Sequence, residues 1–310
     1  NKYKFRQTNI SSIINESLEN DYFTLGSFQA YLELYITKII HTFHPKLFLY
    51  VYENQAWEKA LLSVFKNSRT KTIGYQSSGF SFMFLNFFPS KLDKKKALFP
   101  NLILTTGEIY TKILNKYGHY PNEIKTFAAL RFDYCVKNGR YLVEKPDLNI
   151  KNKILYAFPV HIRQYVHIIN DLVDIFANVN IEVHLKFHPI NLKKIKIKLP
   201  VNFKILDSTE KLKLRETYDI VLFNDNSFGI ESLIMGVKSF EYHVSNIYDE
   251  TRMFEFKIYK NKLIKEDLKI IRDSLLDGTY DKKFSVVAAT SYINRHYKAY
   301  DSTSLIFNGL

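Results

Sequence analysis

Glycine is scarce in this chain, with ten among 310 residues. No Gly-x-Gly-x-x-Gly turn and no Walker-type phosphate loop occurs, which argues against a glycine-cradled dinucleotide or triphosphate. Cysteine is scarcer still. Cys135 stands alone, so an intramolecular disulfide is impossible and a cysteine-based metal site is disfavoured, as suits a reducing compartment. No apolar run approaches the roughly 18 residues of a spanning helix. Residues 1–6 (Asn-Lys-Tyr-Lys-Phe-Arg) lack the apolar core of a signal peptide. The chain begins without Met, as a trimmed or excised segment would. The expected location is cytoplasmic, with a peripheral position at the inner face of the membrane compatible with it. Metal signatures are missing too: the nine His avoid zinc spacings and no Asp-x-Asp occurs. Asn224-Asp225-Asn226 is the nearest approach, so no metal is expected.

What is present is a globular balance, 46% hydrophobic and 24% charged. Aromatic content is high, with 22 Tyr and 25 Phe against one Trp; such tyrosine fills cores and also lines carbohydrate clefts. Lys+Arg 44 against Asp+Glu 31 leaves a net charge of +13, which favours anionic partners. Nucleic acid, an anionic bilayer surface and a phosphorylated or acidic sugar all fit that sign. The lysine-dense stretches 91–96 and 193–198 read as solvated faces. No recognition helix, zinc finger or aromatic ribonucleoprotein motif accompanies them, so nucleic acid is not the expected partner.

Strand and helix patterns alternate along the chain, which predicts parallel sheets. Residues 27–43 carry a helical stripe, and 47–52 is an apolar run suited to a strand buried on both faces. A helix follows with Trp57, Ala60, Leu61, Val64 and Phe65 on one side, then strands at 72–76 and 102–105 and a helix over 109–117. The polar segment 137–147 marks a domain boundary. Beyond it come strand 153–158, helix 163–177, strands 181–187 and 203–206, helix 209–217, strand 219–223, helix 228–237 and strand 238–242. From 262 the pattern is helical, ending in Tyr292, His296, Tyr297 and Tyr300. The predicted architecture is α/β: two Rossmann-like, doubly wound domains, 1–140 and 150–310, facing across a cleft, with a helical C-terminus.

Two strand ends in the second domain carry chemistry. Residues 181–187 alternate apolar and polar, the period of a half-buried strand, and stop at His188-Pro189. Proline holds the preceding residue extended, fixing the imidazole at the sheet rim, where as a cation it can meet a departing phosphate. Lys186 lies two residues earlier. The second end, Asn226-Ser227-Phe228-Gly229-Ile230-Glu231, opens a helix whose free amides make an anion site. With Ser227 as cap, a capping box would place Glu or Gln at 230, which is Ile, so that motif does not explain Glu231. In the first domain, Glu53 follows a strand and is the candidate base toward a sugar hydroxyl. Glu58 is expected to be only a solvated helix residue. Gln76 and Ser77 end the next strand, and Arg131 offers a cation to a carboxylate or phosphate.

These motifs resemble those of bacterial surface-polysaccharide glycosyltransferases of the GT-B fold. Glu53-Asn54-Gln55-x-Trp57-Glu58, Gly74-Tyr75-Gln76-Ser77 and Ala129-Leu130-Arg131 carry the likeness in the first domain. His188-Pro189 and Ser227-x-x-x-Glu231-x-Leu233-x-x-Gly236 are similar to donor-side motifs of enzymes using CMP-activated acids, the sialyltransferases and Kdo transferases. The resemblance implies that His188 contacts the donor phosphate and that Ser227 and Glu231 help hold the nucleotide. The carboxylate-Gly motif of the sialyltransferases has no match here.

The expected function is therefore metal-independent transfer of an acidic sugar, Kdo-like or nonulosonate, from a CMP donor to a surface glycan or lipid-linked acceptor. No cofactor beyond the nucleotide sugar is expected. Donor binding is expected at Lys186, His188, Pro189, Asn226, Ser227, Phe228, Gly229 and Glu231, and catalysis at Glu53 and His188. The same fold using a UDP- or GDP-sugar or a glycerol-phosphate donor is the near alternative; a non-catalytic polyanion-binding protein is the alternative of another class.

Overall fold

The computed structural model describes residues 4–5, 8–9, 11–12, 15–16, 19, 25–82, 84–137, 151–160, 162–192, 197–207, 213–224, 226–244, 262–279 and 300. After a two-residue antiparallel pairing of Lys4–Phe5 with Thr8–Asn9, helix α1 (Leu25–Thr42) leads into a four-stranded parallel sheet. Its strands β1 (Leu47–Val51), β2 (Lys71–Tyr75), β3 (Leu102–Thr105) and β4 (Glu123–Thr126) lie side by side in chain order. Helices α2 (Ala56–Phe65), α3 (Lys91–Lys96) and α4 (Glu108–Tyr117) connect them.

The second sheet has six parallel strands: β5 (Lys153–Ala157), β6 (Glu182–Lys186), β7 (Phe203–Ile205), β8 (Ile220–Phe223), β9 (Lys238–Tyr242) and β10 (Lys262–Leu263). Their order is β10-β9-β8-β5-β6-β7. From β5 the chain builds outward through β6 and β7, then returns to the other side of β5 for β8. The winding reverses there, and ligands of open α/β sheets bind beyond the carboxyl ends at such a reversal. Helices α5 (Tyr165–Phe176), α6 (Pro189–Leu192), α7 (Leu214–Thr217), α8 (Ser227–Ile234) and α9 (Lys265–Leu276) complete the fold.

Several expectations change. β1 is an edge strand, not a strand buried on both faces: Leu49 and Val51 are about half exposed while Tyr50 is buried. The opposite correction applies to β6. Its central polar residue does not face water: His184 is buried with Nδ1 2.8 Å from the Tyr218 hydroxyl and Nε2 2.9 Å from Glu182, while Glu182 and Lys186 at the strand ends are half-buried. Lys204 and Lys153 also pair with Glu182, and Lys204 first, then His184 and Lys153, hold its carboxyl down at about 2. Strand β4 and helix α3 went unread; α3 is six residues opened by a Ser90–Asp93 capping box, too short for a periodic stripe. The segment 209–217 is described only from 213 and is helical over Leu214–Thr217. The proposed boundary 137–147 falls almost wholly outside the described residues, as do Tyr292, His296 and Tyr297.

One apolar cluster joins the two halves. It contains Tyr52, Ile103, Ile109 and Phe132 around the first sheet, and Ala157, Phe223, Ile230, Leu233 and Met235 from the second. Ile154, Tyr156, Ile168, Leu172, Val183 and Leu268 form a separate core where α5 and α9 cover the second sheet.

Candidate active site

At the winding reversal, Asn226 ties the two central strands together. Its Nδ2 donates to the Ala157 carbonyl at the end of β5 (2.7 Å) and to the Asn224 carbonyl (3.1 Å). Its Oδ1 accepts from the Gly229 amide at 3.0 Å, which makes Asn226 the N-cap of α8 and Ser227 its first helical residue. With that cap the third helical position is Gly229, so no capping box was to be expected at 230. Glycine is required there because a Cβ would overlap the Phe223 ring. The absence of a side chain draws α8 down onto β8, leaving its amino end at the rim.

Positive groups converge on that end. Lys186, last residue of β6, places Nζ 5.1 Å from the centre of the Phe228 ring. Arg131, from the other half, donates through Nη2 to the Ser227 hydroxyl at 3.3 Å. The approach of Arg131 is set by Tyr75, whose hydroxyl donates to the Ala128 carbonyl (2.9 Å) and accepts from the Leu130 amide (2.8 Å). Two cations and a helix amino end thus share one edge, as an anion requires.

His188 is half-buried, and its Nδ1 lies 3.4 Å from the Ile190 amide, with Nδ1 as acceptor. In the neutral ring this leaves the proton on Nε2. Pro189 does more than stop β6: it is the exposed first residue of α6, where its fixed φ suits a helix start. Glu231 is buried, with 7% of its surface exposed, so it is not a solvated helix residue.

In the first half, the expectations for the two glutamates reverse. Glu58 is 0% exposed, and Oε1 accepts from the amides of Glu53 (2.8 Å) and Gln55 (3.0 Å). Oε2 has no hydrogen-bond partner among the described residues. Burial pushes this carboxyl up to about 7, against the pull of the amides and of Lys59. Lys59 is itself lowered to about 8 by burial and donates to the Leu98 carbonyl at 2.7 Å. Glu53 is only half-buried. Its backbone is clamped by Glu58 on one side and, through its carbonyl, by Nδ2 of the Asn86 side chain on the other. Asn54, held at φ 58, completes the turn and donates to the Asn86 carbonyl at 2.6 Å. Gln76 is fully buried: its Oε1 accepts from the Thr106 amide at 3.0 Å and its Nε2 donates to Ser78. It joins the ends of β2 and β3, while Ser77 beside it stays half-exposed.

The structure therefore gathers Lys186, Asn226, Ser227, Phe228, Gly229 and Arg131 at one point, with His188 two residues past Lys186 on the neighbouring strand end. Glu53 and Ser77 sit at the carboxyl edge of the first sheet. Sequence reasoning missed Tyr75 as the residue that fixes Arg131, and nothing local marks it beyond its place at a strand end. Among the described residues, no three His, Cys, Asp or Glu side chains gather as a metal site would need.

The arrangement of two parallel sheets has many counterparts among solved structures. Anabaena HepE in complex with UDP and glucose matches with TM-score 0.53 at 12% identity, over 84% of this chain and 77% of that one. The UDP-N-acetylglucosamine 2-epimerase of Rickettsia bellii gives 0.54 at 12% identity, over 88% and 78%. The spinosyn forosaminyltransferase SpnP gives 0.51 at 13%, over 84% and 74%. The fold is GT-B. No family model matches the sequence, and no curated protein does. In this GT-B chain Arg131 of the first half meets Ser227 at the reversal site of the second sheet.

Proposed function

We propose that this chain is a glycosyltransferase that takes a uridine-diphosphate sugar at the α8 rim and passes the sugar to a glycan or lipid-linked glycan. The observation that carries the reading is the meeting of Arg131 with Ser227, which puts a cation of one half over the helix amino end of the other. A diphosphate lying there would be held by Arg131, Lys186 and the α8 amides. The choice of UDP over the CMP donor suggested by the His-Pro motif is supported by the likeness to HepE, which binds UDP and glucose. The acceptor oxygen attacks the anomeric carbon and gives its proton to Glu53. The bond from that carbon to the diphosphate breaks, and Arg131, Lys186 and His188 take up the charge released on the nucleotide. No metal enters this scheme, so activity should survive excess EDTA.

A thermal-shift panel of UDP, CMP, GDP and heparin tests it, since a ligand bound only by the native state raises the melting temperature. UDP should give the largest shift, and Arg131→Ala should shrink it. A largest shift with CMP restores the acidic-sugar donor. Equal, salt-sensitive shifts with every anion would mean polyanion binding instead. Because an epimerase shares the fold, incubation with UDP-N-acetylglucosamine alone is the second arm; conversion to the C2 epimer would refute a transferase.

A further inference from the structure

Helix α1 carries an apolar stripe that the fold leaves open. Phe28, Tyr31, Leu32, Tyr35, Ile36, Ile39 and Phe43 recur at helical spacing along one flank, and each is between 42% and 78% exposed. At roughly 200 Å² per side chain of this size, the exposed part is on the order of 800 Å². That is above the largest apolar patch of an ordinary monomer, about 300–600 Å². The opposite flank packs on α2. His41 of α1 meets Phe65 of α2 with ring centres 5.7 Å apart, so both helices end at the amino edge of the first sheet. Leu49 and Val51 of edge strand β1 add to the open apolar surface.

Where α1 ends, the surface turns basic. A cavity of about 660 Å³ is lined there by His41, His44, Lys46, Arg69 and Lys71, with no acidic residue in its wall. Lys38, on the last turns of α1, is exposed as well. No described helix is long and apolar enough to cross a membrane. An apolar flank with tyrosines along it and a cationic margin is the composition of a helix that lies in the headgroup layer rather than across the bilayer.

We propose that α1 docks this protein on an anionic lipid surface, with Phe28, Tyr31, Tyr35, Ile39 and Phe43 entering the interface and Lys46, Arg69 and Lys71 meeting the headgroups. Charge complementarity selects a lipid surface over a second copy of the chain: the apolar flank is bordered by cations, and the protein as a whole carries +13.

Co-sedimentation of the whole chain with vesicles, without any nucleotide, tests this independently of the donor assignment. Vesicles of phosphatidylcholine with about 30% phosphatidylglycerol are compared with phosphatidylcholine alone. The wild type should partition at least 10-fold more onto the anionic vesicles and be released by 0.5 M salt. Tyr31→Ser/Tyr35→Ser/Ile39→Ser should lose the binding, and Lys46→Glu/Arg69→Glu should lose its dependence on anionic lipid. All five positions are solvent-exposed, and unchanged circular dichroism shows that each variant folds. Binding by the triple variant equal to wild type overturns the proposal. So does a wild type that ignores vesicles but dimerises in light scattering and becomes monomeric on the triple substitution, which would make the flank a self-association face.

Discussion

Replacing Glu58 by Gln should abolish a pH dependence of stability that the wild type carries. The carboxyl is fully buried, one oxygen is spent on two backbone amides and the other has no partner among the described residues. Burial therefore raises it from 4.5 to about 7. Because the folded value lies above the unfolded one, the folded chain keeps this proton between those pH values and the unfolded chain does not. Stability then falls as pH rises through that window and levels off above about 7. At 1.36 kcal/mol per unit, the shift corresponds to about 3 kcal/mol, most of it between pH 5 and 7.

Glutamine keeps a carbonyl for the amides of Glu53 and Gln55 but places an NH₂ where Oε2 had no partner. That buried donor costs about 1–3 kcal/mol at every pH, much as the unpaired O–H of the protonated wild-type carboxyl does at low pH. The variant is thus expected to be close to wild type at pH 5 and to exceed it at pH 8. Urea unfolding from pH 5 to 8, followed by the fluorescence of Trp57, reports the difference; Trp57 is the single tryptophan and the immediate neighbour of Glu58. Parallel stability curves for the two proteins would show that Glu58 is charged throughout and that the burial argument fails.

Further outcomes follow from the same geometry. His188→Ala should lower turnover about 10²-fold or more if Nε2 faces the leaving phosphate; wild-type turnover in the variant removes that role. Glu53→Gln should impair transfer far more than UDP binding, since the fold clamps Glu53 through its backbone and leaves the turn intact; equal loss in both, measured by initial rates and calorimetry, contradicts a base. Gly229→Ala should destabilise by about 1–3 kcal/mol, because the new methyl meets the Phe223 ring and α8 must lift from β8. A melting temperature within 1 °C of wild type, read by calorimetry, would refute that packing.

Much of the fold was legible because each strand–helix unit writes its own period. The runs Leu102–Thr105 and Lys238–Tyr242 were placed to the residue. What the period does not encode is which strand ends at an edge. Leu47–Val51 reads as doubly buried, yet among the described residues its one neighbour is β2, and Leu49 and Val51 meet solvent. Conversely, Glu182, His184 and Lys186 read as a wet face. Of these, His184 lies under cover, because Tyr218, 34 residues away, supplies the partner that makes a buried imidazole tolerable. Periodicity reports side-chain polarity, and polarity can be satisfied by solvent or by a distant residue.

The site divides along the same line. Strand ends locate it, because a parallel sheet presents its ligand edge wherever an apolar run stops, and His188 and Asn226 stand at such stops. The state of each group depends on what arrives from elsewhere. Arg131 had no sequence reason to meet Ser227; the cluster joining Phe132 to Leu233 and Met235 brings them together, and Tyr75 turns the loop that presents the guanidinium. Glu58 was misread for a related reason. At the third position of a helix a glutamate is ordinarily an exposed cap, and nothing in Trp57-Glu58-Lys59 says otherwise. Burial came from outside the motif, and its first consequence is a carboxyl poised near neutrality directly beneath the turn that presents Glu53. Any change at Glu58 is therefore transmitted to Glu53 through a backbone amide, and kinetic effects of Glu58 variants should appear as altered positioning of Glu53, with the transfer step slowed and UDP affinity unchanged.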